Sequence, residues 1–282
     1  MHHELTWSAT QLRRLKELQA TPGQRKLTFE DESSRDRSFQ EIADVLARKT
    51  RNCLLAVQKK CLRPRLCLLE SRLVDALCEE GFVQVTTPVI MARTHLARMG
   101  ITGNHPSSSQ VFWIDGKHCL RPMLAPHLYC LLQNLLRLWK KPVRIFEVGP
   151  CFRRESGGAR HAAEFTMLNL VEAGLPLEGR AERIRELAVR VAEAAGLSDY
   201  RLEATHSEVY GDTIDILAGE NNLEVGSSAM GPHALDRPWR ITDAWVGIGF
   251  GLERLIMAAE GSESLARLGR SLSYLDGIRL NI

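Results

Sequence analysis

The order of apolar and polar positions divides the chain into segments of distinct period. Leu12, Leu15 and Leu18, separated by Arg13, Arg14 and Lys16, have the spacing of a short amphipathic helix. Thr21-Pro22-Gly23 ends it. Phe39, Ile42, Ala43 and Leu46 recur at helical steps and predict a second helix over about 36–49. Leu66, Leu69, Leu73 and Leu77 predict a third, with Gly81 at its stop. Phe82 to Val85 reads as a strand ended by Thr86-Thr87-Pro88. Val111 to Ile114, followed by Asp115-Gly116, reads as half of a hairpin. Leu124 to Leu138 suits a long helix with Pro126 in its first turn, and Val143 to Val148 a strand. Ile184, Leu187, Ala188 and Val191 share one helical face within 178–195, and Gly196 follows. Val209–Leu217 and Leu223–Val225 read as strands. Strands and helices do not alternate as in a doubly wound parallel sheet. The expected fold class is therefore α+β, with a mainly antiparallel sheet flanked by helices.

Composition narrows the class without naming a function. Of 282 residues, 44% are hydrophobic and 25% charged, which suits a globular protein and excludes disorder. No apolar run approaches the ~20 residues that cross a bilayer, and Met1 to Trp7 lacks the apolar stretch of a signal peptide. No membrane association and a cytoplasmic location are expected. Seven cysteines, an odd number with no Cys-x-x-Cys pair, argue against a disulfide framework or a four-cysteine zinc site. They are expected to be mostly small buried hydrophobes. The net charge is only +3, yet Arg48, Lys49, Arg51, Lys59, Lys60, Arg63 and Arg65 form a run without an acidic residue. That run is either a solvated helix face or a phosphate-binding stripe for nucleic acid. The expected division is a helical, basic extension over 1–60 and a catalytic domain over 61–282.

Two stretches carry chemistry. In Gly247-Ile248-Gly249-Phe250-Gly251-Leu252-Glu253-Arg254, three glycines at spacing two in a strand face one side and leave it bare. A flat ligand can lie on that backbone, with Arg254 at its end to reach a phosphate or stack on a base. Leu252 stands where a dinucleotide fingerprint needs its last glycine, so that reading fails. The alternative is a strand that is glycine-rich only for packing. The second stretch runs from Phe152-Arg153-Arg154-Glu155 through Gly157-Gly158 and His161 to Phe165–Glu172. Phe165, Met167, Asn169 and Val171 alternate onto one face. An aromatic ring, a thioether and one amide suit a ligand floor better than a dry core, because a buried amide without a partner costs about 1–3 kcal/mol. A hairpin held by surface ion pairs is the alternative.

Together with the strand 82–88, these stretches resemble motifs 1, 2 and 3 of the class II aminoacyl-tRNA synthetases. Neither class I signature, His-x-Gly-His or Lys-Met-Ser-Lys-Ser, occurs. Leu120-Arg121-Pro122-Met123-Leu124-Ala125-Pro126, Glu164–Asn169, Tyr210-Gly211-Asp212-Thr213 and Trp245–Arg254 are similar to the pyrrolysyl-tRNA synthetases over about 60–282. The expected form is the short one, without the separate N-terminal tRNA-binding domain of longer members. The resemblance implies a homodimer that uses ATP and magnesium to charge tRNA(Pyl) with pyrrolysine and accepts Nε-acyl-lysine analogues. It places Arg153 and Arg254 as catalytic arginines. The implied ATP site is Arg153, Glu155, His161, Ala162, Phe165, Met167, Glu224, Ser227 and Arg254, with Glu224 and Ser227 as magnesium ligands. The implied amino-acid site is Asn169, which should bond the substrate's side-chain amide carbonyl, Tyr210 as a cap, and Ala125, Leu128, Tyr129, Leu132, Val171, Ala229 and Trp245 as an apolar slot. A phenylalanyl-type class II synthetase and a non-catalytic synthetase paralogue are the alternative readings. No room for an anticodon-binding domain is evident, so anticodon substitutions in the cognate tRNA are expected to leave charging nearly unchanged. Kinetics across anticodon variants check this, and a loss of several orders of magnitude contradicts it.

Overall fold

The computed structural model describes residues 5–154, 162–262 and 264–282. They form two compact units, residues 1–64 with 271–282, and residues 65–270. The first unit holds β1 (Leu5–Thr6), α1 (Ala9–Glu17), α2 (Pro22–Arg25), β2 (Thr28–Phe29) and α3 (Glu32–Lys60). Ser8 and Gln11 cap α1 reciprocally, Thr21 and Gln24 cap α2, and Asp31 and Ser34 cap α3. These pairs satisfy amide groups that the first helical turn leaves without partners. Trp7, Leu15, Leu18, Ala20 and Leu46 make the small core, and the Trp7 ring centroid is 4.3 Å from that of Phe29.

The first unit also takes in the end of the chain. A C-terminal hairpin of Tyr274–Leu275 and Ile278–Arg279 belongs to the first unit. Arg279 pairs with Glu17 at 3.2 Å, Arg14 donates to the Asn281 carbonyl, and Ile282 packs on the Trp7 core. The second expected helix is also longer than its apolar repeat: α3 continues into the basic run as far as Lys60, with Leu46 as its buried residue.

The second unit is built on a seven-stranded sheet. In chain order it contains α4 (Arg65–Glu79), β3 (Val83–Gln84), β4 (Ile90–Ala92), α5 (Arg93–Arg98), β5 (His118–Leu120), α6 (Ala125–Leu138), β6 (Val143–Phe152) and β7 (Glu164–Ala173). It continues with α7 (Arg180–Ala195), β8 (Tyr200–Ser207), β9 (Gly211–Ala218), β10 (Leu223–Gly231), α8 (Asp236–Trp239), β11 (Trp245–Gly251) and α9 (Leu252–Glu260). The strand order is β3-β6-β7-β11-β10-β9-β8. Among the described strands of this sheet, β3 and β6 pair in parallel and the other neighbours are antiparallel. Helices α4, α7 and α9 cover one face through Leu69, Leu73, Ile184, Leu187 and Leu255, which meet Leu168, Leu170, Val246, Ile248 and Phe250 of the sheet. The other face meets α6 through Leu128, Tyr129 and Leu132, and α5 packs on α6.

Three local expectations differ from the structure. Val111–Ile114 is not a hairpin strand; Trp113 makes a single bridge to Cys119, and the short hairpin-like pair is β4 with β5. The strand expected over Val209–Leu217 begins only at Gly211, because residues 208–210 form the turn that leads out of the edge strand β8. Cys53, Cys61, Cys67 and Cys78 are exposed, while Cys119 and Cys151 are buried and Cys130 is half-buried. The four lie on or beside helices whose apolar stripe passes them by.

One buried polar network fixes the scaffold beneath the site. Arg121 and Glu147, each 2% exposed, pair at 2.7 Å. Arg121 also donates to the carbonyls of Pro150 and Thr87. Glu147 accepts from the Thr87 amide and hydroxyl, and His127 Nδ1 lies 3.1 Å from that hydroxyl. Desolvation, aided by His95 and Arg121, lowers His127 to about 4, so the ring is neutral at pH 7. Gly149 makes the network possible, because a Cβ there would stand 2.1 Å from Arg121 Nη2. Arg121→Met would strand the Glu147 charge, and we expect a loss of about 3–5 kcal/mol in unfolding free energy by urea titration. A loss under about 1 kcal/mol would contradict this role.

Candidate active site

A cavity of about 240 Å³ opens on the sheet face beside α6. Its floor follows from strand register. Gly247, Gly249 and Gly251 on β11 sit opposite Val171, Asn169 and Met167 on β7, and Gly249 and Gly247 sit opposite Ser227 and Ala229 on β10. The glycines therefore leave a strip without side chains at the centre of the cavity floor. A Cβ at Gly249 would stand 3.1 Å from Asn169 Oδ1 and 3.3 Å from Met167 Cε.

Two arginines flank this strip. Arg153 follows β6, donates from Nε to the Pro122 carbonyl at 2.9 Å, and lies 5.2 Å from the Phe165 ring centroid. Arg254, in the first turn of α9, packs across Gly251 and donates to the Glu224 carbonyl at 3.1 Å. Its guanidinium is 3.8 Å from the Glu224 carboxylate. Partial desolvation at the cavity wall raises Glu224 above its ordinary value, Arg254 pulls it down, and Asp215 raises it again. Glu224 and Ser227 are three residues apart on β10 and would ordinarily face opposite sides. A bulge between Glu224 and Gly226 brings both to the cavity.

The far end of the cavity is apolar. Met123, Ala125, Leu128, Tyr129, Leu132, Val171, Ala229 and Trp245 line it. Tyr129 stacks on Trp239 at 5.4 Å and meets Trp245 edge-on at 5.6 Å. Its hydroxyl is buried without a hydrogen bond of normal geometry, and burial raises its pKa well above the ordinary value. Tyr210, on the turn between β8 and β9, comes over the same space with its ring 6.4 Å from Trp245. Asn169 lies between the bare strip and this slot, half-buried, and its amide has no hydrogen bond to any described residue. An amide held there in such surroundings is poised for a ligand's carbonyl or amide.

The cavity thus gathers Arg153, Ala162, Phe165, Met167, Asn169, Glu224, Ser227, Arg254 and the apolar set in one place. Glu155 and His161, also expected at the ATP site, lie outside the described residues.

Residues 57–275 match the family model of the tRNA synthetases class II core domain (F). A crystal structure of pyrrolysyl-tRNA synthetase from Desulfitobacterium hafniense is 52% identical, covers 99% of both chains and superposes with a TM-score of 0.90. The chain belongs to the pyrrolysyl-tRNA synthetases, within class II. Among curated relatives, the lysylphosphatidylglycerol biosynthesis bifunctional protein LysX of Mycobacterium leprae is 33% identical over 159 residues. That match takes in 55% of this chain and 13% of the relative. The phenylalanine–tRNA ligase alpha subunit of Methanothermobacter thermautotrophicus is 25% identical over 55% of this chain and 31% of its own. The chain spans about a third or less of the length of these curated relatives.

Sequence reasoning missed the side chains that support the site from behind. Glu253, 2% exposed, accepts the Thr166 amide on both oxygens at 2.9 Å and ties β7 to the start of α9. Burial raises its carboxyl above the usual range. Asp236 accepts the Trp245 indole N–H on both oxygens, also at 2.9 Å. Gly231 leaves room for that indole, since a Cβ would meet Trp245 Nε1 at 1.8 Å. Asp215 sits opposite Ser227 and adds a carboxylate near Glu224.

Proposed function

We infer that this chain is a pyrrolysine–tRNA ligase. It activates pyrrolysine with ATP to the aminoacyl-adenylate, releases pyrophosphate, and transfers the acyl group to tRNA(Pyl). The observation that carries the reading is the Asn169 amide, without a hydrogen bond to any described residue, at the junction of a bare glycine strip and a deep apolar slot. Adenine lies on the strip between Phe165 and Arg254. The acylated lysine side chain fills the slot, its amide carbonyl meeting Asn169 and its ring capped by Tyr210.

No protein nucleophile is needed. The substrate carboxylate attacks the α-phosphorus in line. The task of the protein is to hold the two reactants in register and to stabilise charge that develops on phosphate oxygens. Arg153 is tethered at Nε, so its terminal nitrogens are free to turn toward the α-phosphate while the guanidinium stays placed. Glu224 and Ser227 offer two oxygens on one side of the cavity, a donor set suited to magnesium shared with phosphates. When bound, that ion supplies charge neutralisation for the polyphosphate. Small amino acids leave the slot wet and Asn169 unpaired, which is how the site rejects them.

The basic run on α3 and just after it supports contact with the tRNA body. Neutralising Lys49, Arg51 and Lys59 together should weaken tRNA binding and flatten its salt dependence while adenylate formation stays unchanged. Filter binding at several salt concentrations, beside pyrophosphate exchange, checks both halves. The expected assembly is a homodimer and the expected compartment the cytoplasm. No described helix is long and apolar enough to cross a membrane.

The reading is tested by amino-acid-dependent ATP–pyrophosphate exchange with pyrrolysine, an Nε-acyl-lysine and the standard twenty amino acids. Exchange with the first two alone is the expected result. Exchange with phenylalanine alone would favour a phenylalanyl-type enzyme, and none with any amino acid a non-catalytic paralogue.

A further inference from the structure

We propose that His233 is a positioning residue for amino-acid recognition, fixing the Tyr210 turn over the apolar slot. The inference rests on the reading of that slot as the acyl-lysine site. The turn between β8 and β9 has few ties of its own. The Tyr210 amide donates to Ser207 Oγ within the turn, and Gly211 takes a positive φ of +68° to close it. From outside, Ser107 Oγ reaches Glu208 at 3.3 Å and His105 Nε2 lies 3.5 Å from the Glu208 carbonyl, both exposed contacts of little value. The short contact is the one to His233, whose Nε2 lies 2.7 Å from the Tyr210 carbonyl oxygen in half-buried surroundings.

The tautomer follows from the neighbours. Nδ1 accepts the Leu235 amide at 3.1 Å, so the ring proton sits on Nε2 and is donated to Tyr210. The other end of His233 is equally fixed. Its backbone amide donates to Asp236 Oδ2 at 2.6 Å, and the same carboxylate holds the Trp245 indole. One short segment therefore sets both the floor of the slot, through Trp245, and its cap, through Tyr210. Without the His233 bond the turn spends part of its time away from the slot, and apparent affinity for the amino acid falls by that fraction. The nucleotide strip does not depend on this turn.

The experiment is pyrophosphate exchange with the intact protein and an Nε-acyl-lysine, comparing the parent with His233→Ala, His233→Phe and His233→Gln. Loss of one hydrogen bond predicts a rise of about 3- to 10-fold in the amino-acid KM for the Ala and Phe variants. KM for ATP, kcat and melting temperature should stay close to the parent. His233→Gln, which returns an amide N–H to the Nε2 position, should recover most of the affinity. In a Tyr210→Ala background, where no ring is left to seat, His233→Ala should change KM less than 2-fold. His233→Phe keeps the ring volume and carries the test if the Ala variant fails to fold. An unchanged amino-acid KM in folded variants, or an equal rise in the Tyr210→Ala background, overturns the proposal. Absence of exchange by the parent with the acyl-lysine overturns the reading of the slot instead.

Discussion

Arg153→Ala should lower ATP–pyrophosphate exchange by about 10³-fold or more, with the melting temperature little changed. Nothing in the scaffold depends on this guanidinium. It is half-buried, and among the described residues its side chain donates to the Pro122 carbonyl and lies over the face of Phe165. The catalytic loss should be large because the reaction has no covalent step to share the work. Charge that builds on the α-phosphate oxygens must be met by groups already in place. Arg153→Lys should recover little, since an ammonium cannot keep the tether to Pro122 and present a second N–H pair together. Rapid-quench measurement of adenylate formation separates this from slow product release. A loss under tenfold would remove Arg153 from the chemistry.

Asn169→Ala should give the second-largest effect, and it should fall on the choice of amino acid. The variant keeps the glycine strip and both arginines, so KM for ATP stays near that of the parent. For pyrrolysine, kcat/KM should drop about 10- to 100-fold, the worth of a hydrogen bond between two buried amides when one is removed. The penalty against apolar amino acids should shrink as well, because a ligand without a carbonyl no longer strands a buried amide. Stability should not fall, since Asn169 bonds to no described side chain. A drop in melting temperature of several degrees without a change in selectivity would show that the amide serves the core.

How much of this was legible in the chain follows from which residues act locally. The alternation on β7 was readable, because a strand of period two with Leu168 and Leu170 on one side forces Met167, Asn169 and Val171 to the other. The glycine strip was readable for the same reason. Ser227 and Glu224 were not readable from periodicity, since only the bulge at 224–226 turns both to the cavity. They entered through family resemblance. The Arg121–Glu147–Thr87–His127 network was invisible because its members come from four separate stretches of chain. The same holds for His233 and Tyr210, 23 residues apart. The C-terminal hairpin carries no apolar repeat of its own, and its place in the first unit depends on single contacts such as Arg279 with Glu17 of α1. The exposed cysteines were misread because a small sulfur side chain has no period by which to tell a helix's inner face from its outer one.

The most direct measurement is a crystal structure with a non-hydrolysable ATP analogue and an Nε-acyl-lysine bound together. The account predicts the adenine on the strip of Gly249 and Gly251, Arg153 at the α-phosphate, and the Asn169 amide within hydrogen-bond distance of the acyl carbonyl. A nucleotide seated elsewhere, or Asn169 turned from the slot and bonded into the sheet, would contradict it.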